Sequence, residues 1–265
     1  MIRNRIWIPI IVIMAASFIW QPRTADATVS VTTKNEPNLI AIGTFFNGTQ
    51  LTVSGKVGVE NDVVVIVSGK QEELTLKKKG KALGLLWMNL GDVQFKKIPS
   101  VYILYSSKGE TESVASEPKT WKKLGIGFEY LQKEMEIEAP QANRDDLANE
   151  FLKLKQKQGL YASHLGEISF GQSSENEKSF TANIWIPPRI STGEYQVNVV
   201  EIHHGQIVDT SRSQLDVKEE GVPLMLSSMA FNHSLLYGFL AVLIAVAAGL
   251  AMDFFFGTGK GGGAH

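Results

Sequence analysis

The side chains that most often do chemistry are few in this chain, and poorly spaced. Its five histidines are His164, His203, His204, His233 and His265. His203 and His204 are neighbours, and neighbours in an extended strand point to opposite faces of a sheet. No His-x-His spacing is present and Glu201-x-x-His204 stands alone, so the pair reads as polar residues at a hairpin end. No Gly-x-Ser-x-Gly elbow is present. Serines and carboxylates are plentiful, but plentiful residues fix no catalytic geometry. There is no cysteine, which excludes disulfides, thiolate metal sites, cysteine nucleophiles and iron–sulfur clusters. The expectation is a protein that is not an enzyme and that carries no cofactor and no metal.

Two exposed-type clusters offer binding rather than catalysis. Lys77, Lys78, Lys79 and Lys81 have the charge to touch anionic lipid or an acidic partner. The favoured reading is plainer: a solvated polar turn that also blocks edge-to-edge strand pairing. Trp87 and Met88, within Leu85–Leu90, have the bulk to line a binding surface, but core packing is the commoner use of such residues.

One row does have a spacing with a physical consequence. Ala241, Ala245 and Gly249 lie four apart, and Asp253 continues the row. Small residues at that interval let a second membrane helix approach closely. An acid inside a spanning segment faces protein or water. These four residues are the candidate helix–helix contact, with a partner membrane protein or with a second copy. The opposite reading also stands: small residues are common in spanning helices, and Asp253 sits at the cytoplasmic interface.

The elements that position this row lie at the chain's ends. Arg3 and Arg5, the uncharged run Ile6–Trp20 and Ala25-Asp26-Ala27 have the three-part pattern of a signal peptide cleaved after Ala27. No Asp, Glu, Lys or Arg occurs from Gly221 to Met252. Within that stretch, Leu235–Phe256 would form a helix about 33 Å long, enough to cross a bilayer. Export of the N-terminal side leaves the short tail 257–265, with Lys260 and a Gly-rich, disordered composition, in the cytoplasm. The lipid bilayer is thus the one partner the sequence itself requires. The 265 residues carry a net charge of −1. Removing residues 1–27 takes away three positive charges and one negative, giving −3, which offers nothing to nucleic acid.

Between the ends, the apolar pattern has period two. Leu51, Val53 and Val57 alternate with polar residues. Val63–Val67 is an unbroken β-branched run suited to a strand buried on both faces. Val101–Tyr105 is a further strand. The middle is helical, with Pro118 in a first turn, Trp121 and Leu124 behind it, and a helix over 144–158. That helix has Asn143 as cap, Asp145 and Asp146 at its positive end, Leu147, Phe151 and Leu154 as its apolar stripe, and Gly159 as its stop. Strands return with Phe180–Ile186 and Tyr195–Val199, then His204-Gly205-Gln206 as a hairpin turn. The predicted architecture is mainly β. It is an immunoglobulin-like β-sandwich body of one or two units with a helical insert, plus one C-terminal transmembrane helix. The segments are 1–27, an N-terminal β-rich unit 28–110, a helical segment 111–170, a C-terminal β-rich unit 171–220, a spanning helix 233–256 and the tail.

Several stretches together carry a resemblance: Val63–Gly69, Leu76–Lys81, Leu86–Asn89, Val93–Tyr105, Pro187–Val199 and His233-Ser234-Leu235-Leu236-Tyr237-Gly238. The chain resembles the putative transmembrane protein family first described from alphaproteobacteria. The resemblance implies a signal peptide, a periplasmic body and one helix in the bacterial inner membrane. The family has no established activity, so no catalytic residues transfer. Its members are often encoded beside permeases of the sulfite-exporter type, which implies a permease as partner. The expected function is a membrane-anchored periplasmic interaction or accessory protein. The alternative is a periplasmic binding module for a small anion or metal.

Overall fold

The computed structural model describes residues 32–82, 86–107, 119–139 and 143–256. The predicted signal peptide, Pro118 and the tail 257–265 lie outside them.

Two sheets face each other. The first contains β1 (Thr32–Glu36), β3 (Thr49–Gly58), β11 (Glu177–Ile186) and β10 (Ser169–Ser173), in the order β1-β3-β11-β10. The second contains β2 (Leu39–Ile42), β13 (Gln206–Glu219), β12 (Gly193–His203), β4 (Asp62–Ser68), β7 (Tyr102–Ser106) and β9 (Tyr161–His164), in the order β2-β13-β12-β4-β7-β9. Alternate residues of each strand point between the sheets. Leu51, Val53 and Val57 of β3 and Phe180, Ala182, Ile184 and Ile186 of β11 meet Val63, Val65 and Val67 of β4, Val197 and Val199 of β12, and Leu215 and Val217 of β13. Each of these side chains other than Ala182 contributes about 1.5–3 kcal/mol by leaving water.

The connectivity is that of an immunoglobulin-like sandwich. The chain crosses between sheets at Pro37, so that β1 pairs antiparallel with β3 while β2 runs parallel to the last strand, β13. Tyr195, near the start of β12, donates its hydroxyl to the carbonyl of Ser191 at 2.8 Å, the tyrosine corner of such folds. Strands from 28–110 and from 171–220 are interleaved. β3 pairs with β11, and β4 pairs with β12. Of the two arrangements left open by the pattern, the described residues form one sandwich that contains the helical insert.

A third layer covers the second sheet. Val64 and Ile66, the other side chains of β4, join a second core with Val200 and Ile202. This is why Val63–Val67 shows no polar alternation: all five side chains are buried. The covering layer comes from two insertions. Between β4 and β7 the chain makes a long hairpin, β5 (Gln71–Ala82) and β6 (Leu86–Pro99). Between β7 and β9 it forms α1 (Trp121–Leu124), α2 (Phe128–Glu134), β8 (Glu136–Glu138) and α3 (Arg144–Lys157). β8 adds a third strand to the hairpin. Phe95 of β6 stacks on Phe151 of α3 with ring centroids 4.5 Å apart.

Two local expectations change. Lys77–Lys81 lie in β5, not in a turn. Strand pairing continues beyond them, with Lys79 opposite Asn89 and Gly80 opposite Met88, after a register shift at Lys78. The helix at 144–157 has its Asn143 cap, whose side-chain oxygen accepts from the Asp145 amide at 3.1 Å. Its buried stripe, however, is Ala148, Phe151, Leu152 and Lys155. Leu154 is exposed and Leu147 half-buried. Lys155 replaces a leucine on the inner face because Glu72 of β5 accepts from its ammonium at 2.6 Å.

The body ends at Glu219. α4 (Val222–Asn232) and α5 (Ser234–Phe256) follow, separated by His233.

Candidate functional site

α5 has 23 residues and not one of its described side chains is buried. At 1.5 Å per residue it is about 34 Å long, the thickness of a bilayer's hydrocarbon core with a little to spare. Its one Asp, Glu, Lys, Arg or His is Asp253, one turn from its end. Ala241, Ala245, Gly249 and Asp253 fall on one stripe of this helix, and all four are exposed. A Cβ added at Gly249 would meet nothing within 4 Å, so no part of the described chain packs on the stripe there. The four predicted contact residues are aligned by helical spacing, and none of them belongs to either core of the body.

A helix of this length with no buried face has a solvent other than water. The family comparison agrees. A family model described as Putative transmembrane protein (Alph_Pro_TM) matches residues 30–257.

The chain belongs to that family.

The match takes in the whole sandwich, both insertions and the helix. The family name implies an alphaproteobacterial origin. No curated protein matches the chain. For this member, membrane anchorage by one apolar helix follows from the family and the structure together.

The other candidate residues are dispersed. His164, on the edge strand β9, stacks on Tyr105 at 4.4 Å, with its Nδ1 3.2 Å from Glu167. His233 separates the two C-terminal helices, and His265 lies outside the described residues. His203 and His204 differ from expectation. Their rings approach to 4.1 Å, because the chain is not extended there: His204 and Gly205 both take positive φ, +47° and +74°, in a two-residue hairpin turn. Among the described residues, no three His, Asp or Glu side chains converge as metal ligands. Of the lysine cluster, Lys77, Lys78 and Lys79 are exposed. Met88 is half exposed rather than core.

The most unusual polar group of the body was not among the candidates. Glu201 of β12 is fully buried. One carboxylate oxygen accepts from the Gly58 amide at 2.7 Å and from the Asn61 side chain at 2.6 Å, pinning the β3–β4 connection to β12. Its other oxygen is buried with no hydrogen-bond partner. The signal was present in the sequence: Glu201 continues the inward phase of Val197 and Val199.

The outer face of the first sheet carries an open groove of about 470 Å³ lined by Thr32, Lys34, Ser54, Lys56, Ser179 and Thr181. Its two cations are already paired, Lys34 with Glu36 and Lys56 with Glu177. Among the tyrosines, burial pushes the Tyr161, Tyr105 and Tyr195 phenols up from their ordinary range, because a phenolate would have to leave water.

Proposed function

We propose that this chain is a membrane-anchored interaction protein. Its immunoglobulin-like body stands on the periplasmic side of a bacterial inner membrane, with the C-terminus in the cytoplasm. The stripe of Ala241, Ala245, Gly249 and Asp253 is the face on which a second membrane helix packs. The partner is a permease, of the sulfite-exporter type that the family resemblance suggested. The chain acts by positioning and recognition, not by catalysis. One observation carries this reading: α5 contributes no described side chain to either core of the body. A helix unused by its own fold is free for others, and its small residues leave room for close approach.

The test is photo-crosslinking in intact membranes from positions 241, 245 and 249, with identification of the joined species. A permease in the product is the expected result. Self-crosslinks alone replace the permease by a second copy. Crosslinks to lipid alone sink the reading and leave α5 a tether. The alternative of a small-anion or metal module has less behind it, since the groove's lysines are neutralised by their own carboxylates. Dialysis against sulfur oxyanions and divalent metals addresses it directly, because a ligand of the native body raises its melting temperature.

A further inference from the structure

α4 is apolar on most sides, and although Pro223 and residues 227–230 are partly covered, its large apolar side chains stand open. Val222, Leu224, Met225, Leu226 and Phe231 are 51, 50, 55, 48 and 87% exposed, and none of its residues is buried. At 100° per residue these side chains point in several directions around the axis. A helix apolar all round is stable only inside an apolar medium. That medium cannot be the middle of the bilayer, because α5 alone is long enough to cross it.

The polar groups of α4 are arranged for partial immersion. Ser227 donates its hydroxyl to Glu219 at 2.8 Å, fastening the helix to the end of β13. Asn232 turns its side-chain amide back to Ser228 at 3.5 Å. Pro223 occupies the first turn, where a missing N–H costs nothing, and the Met225 amide donates to the Gly221 carbonyl at 3.0 Å. The nearest charges, Lys218, Glu219 and Glu220, all precede the helix. The chain thus passes from charged strand to uncharged helix to spanning helix with one junction residue between the helices.

We infer that α4 is seated in the headgroup–acyl boundary of the leaflet nearest the body, with lipid as its occupant. The inference rests on the anchor reading of α5 and adds to it that the body is held down on the membrane rather than dangling from it. Continuity with the spanning helix selects lipid over a protein: whatever surrounds Ser234 and Leu235 on entry also reaches Phe231.

The chain has no cysteine, so single cysteines can be placed without removing any. Leu224→Cys, Met225→Cys and Phe231→Cys report on α4, Leu243→Cys on α5, and Ser174→Cys on the exposed edge of the body. Each full-length variant is spin-labelled in phosphatidylethanolamine–phosphatidylglycerol vesicles, and accessibility to oxygen is compared with accessibility to a water-soluble nickel chelate. The expected result places all three α4 labels about 5–10 Å into the boundary, with the α5 label deeper and the body label in water. Aqueous α4 labels beside a lipid-exposed α5 label overturn this inference and leave the anchor standing. Labels on α4 shielded from both reagents overturn it in favour of a protein cover. An aqueous α5 label overturns the anchor reading and this inference with it.

Discussion

Glu201 shows how a single residue can hold two strands in place. It accepts hydrogen bonds from both Gly58 and Asn61, so removing it orphans two donors. Glu201→Ala is expected to lower unfolding free energy by about 1–3 kcal/mol, the cost of leaving buried donors unpaired. Glu201→Gln keeps an acceptor oxygen and loses less. Urea unfolding of the two variants checks the order, and a negligible loss for Glu201→Ala would mean that the carboxylate holds nothing. The tyrosines set a limit at high pH. Tyr105, Tyr161 and Tyr195 have phenols raised in the native state by burial, so the unfolded chain releases these protons first. Their contribution is complete below about pH 10, the ordinary tyrosine value, and is lost as pH rises through the higher native values. Ultraviolet titration should show these phenols ionising together with unfolding, after exposed tyrosines have titrated. Smooth ionisation of all tyrosines near pH 10 in folded protein would contradict it.

At the scale of elements, the bond between Lys155 and Glu72 joins α3 to the base of the hairpin insertion. The two partners are not equivalent. Lys155 is buried among Phe151 and Tyr161, with its ammonium 5.7 Å from each ring, while Glu72 is partly exposed. Glu72→Ala strands a buried cation, whereas Lys155→Met returns a hydrophobic residue to an apolar position. Thermal unfolding should therefore rank Glu72→Ala as the more damaging change, and the reverse order would count against the buried-cation account. The same pair marks where sequence patterns stop being readable. The extent of α3, its Asn143 cap and the double-sided burial of Val63–Val67 are local properties, and the pattern states them. So are the inward alternation of β11 and β12 and the hairpin at His204-Gly205. The burial of Lys155 and the pairing of β2 with β13 depend on partners far away in the chain, while Lys77–Lys81 stay in strand because the hairpin with β6 runs past them. The anchor stripe was legible by spacing alone because a membrane helix needs no fold to align residues four apart. Glu201 was legible by phase, but only its partners across the sandwich make it more than a misplaced acid.

For the whole molecule, body and anchor are separable. The two cores contain no residue of α4 or α5, and the described polar link between the parts is Ser227 with Glu219. A chain ending at Glu220 is expected to stay in solution without detergent and to melt cooperatively within a few degrees of the full-length protein, as small changes in native contacts require. Aggregation or a much lower melting temperature would show that the helices complete the fold. The small-residue stripe stays with the membrane part and the Glu201 clasp with the body, so crosslinking and unfolding report on different halves.

The parallel pairing of β2 with β13 also sets a timetable. Synthesis delivers β1 to β7 early, yet β3 must wait for β11, β4 must wait for β12, and β2 must wait for the last strand of all. Neither sheet can close while the helical insertion is being made, and long-range pairings of this kind form slowly. Throughout that interval Val63–Val67, destined for burial on both faces, has β7 on one side but leaves open the edge reserved for β12, a β-branched edge of the sort that associates with its own kind. The sandwich becomes complete only as the anchor itself follows β13 out of the ribosome. For this protein the exposed object is the unfinished chain, whose open strand edges are covered only when its last strands arrive.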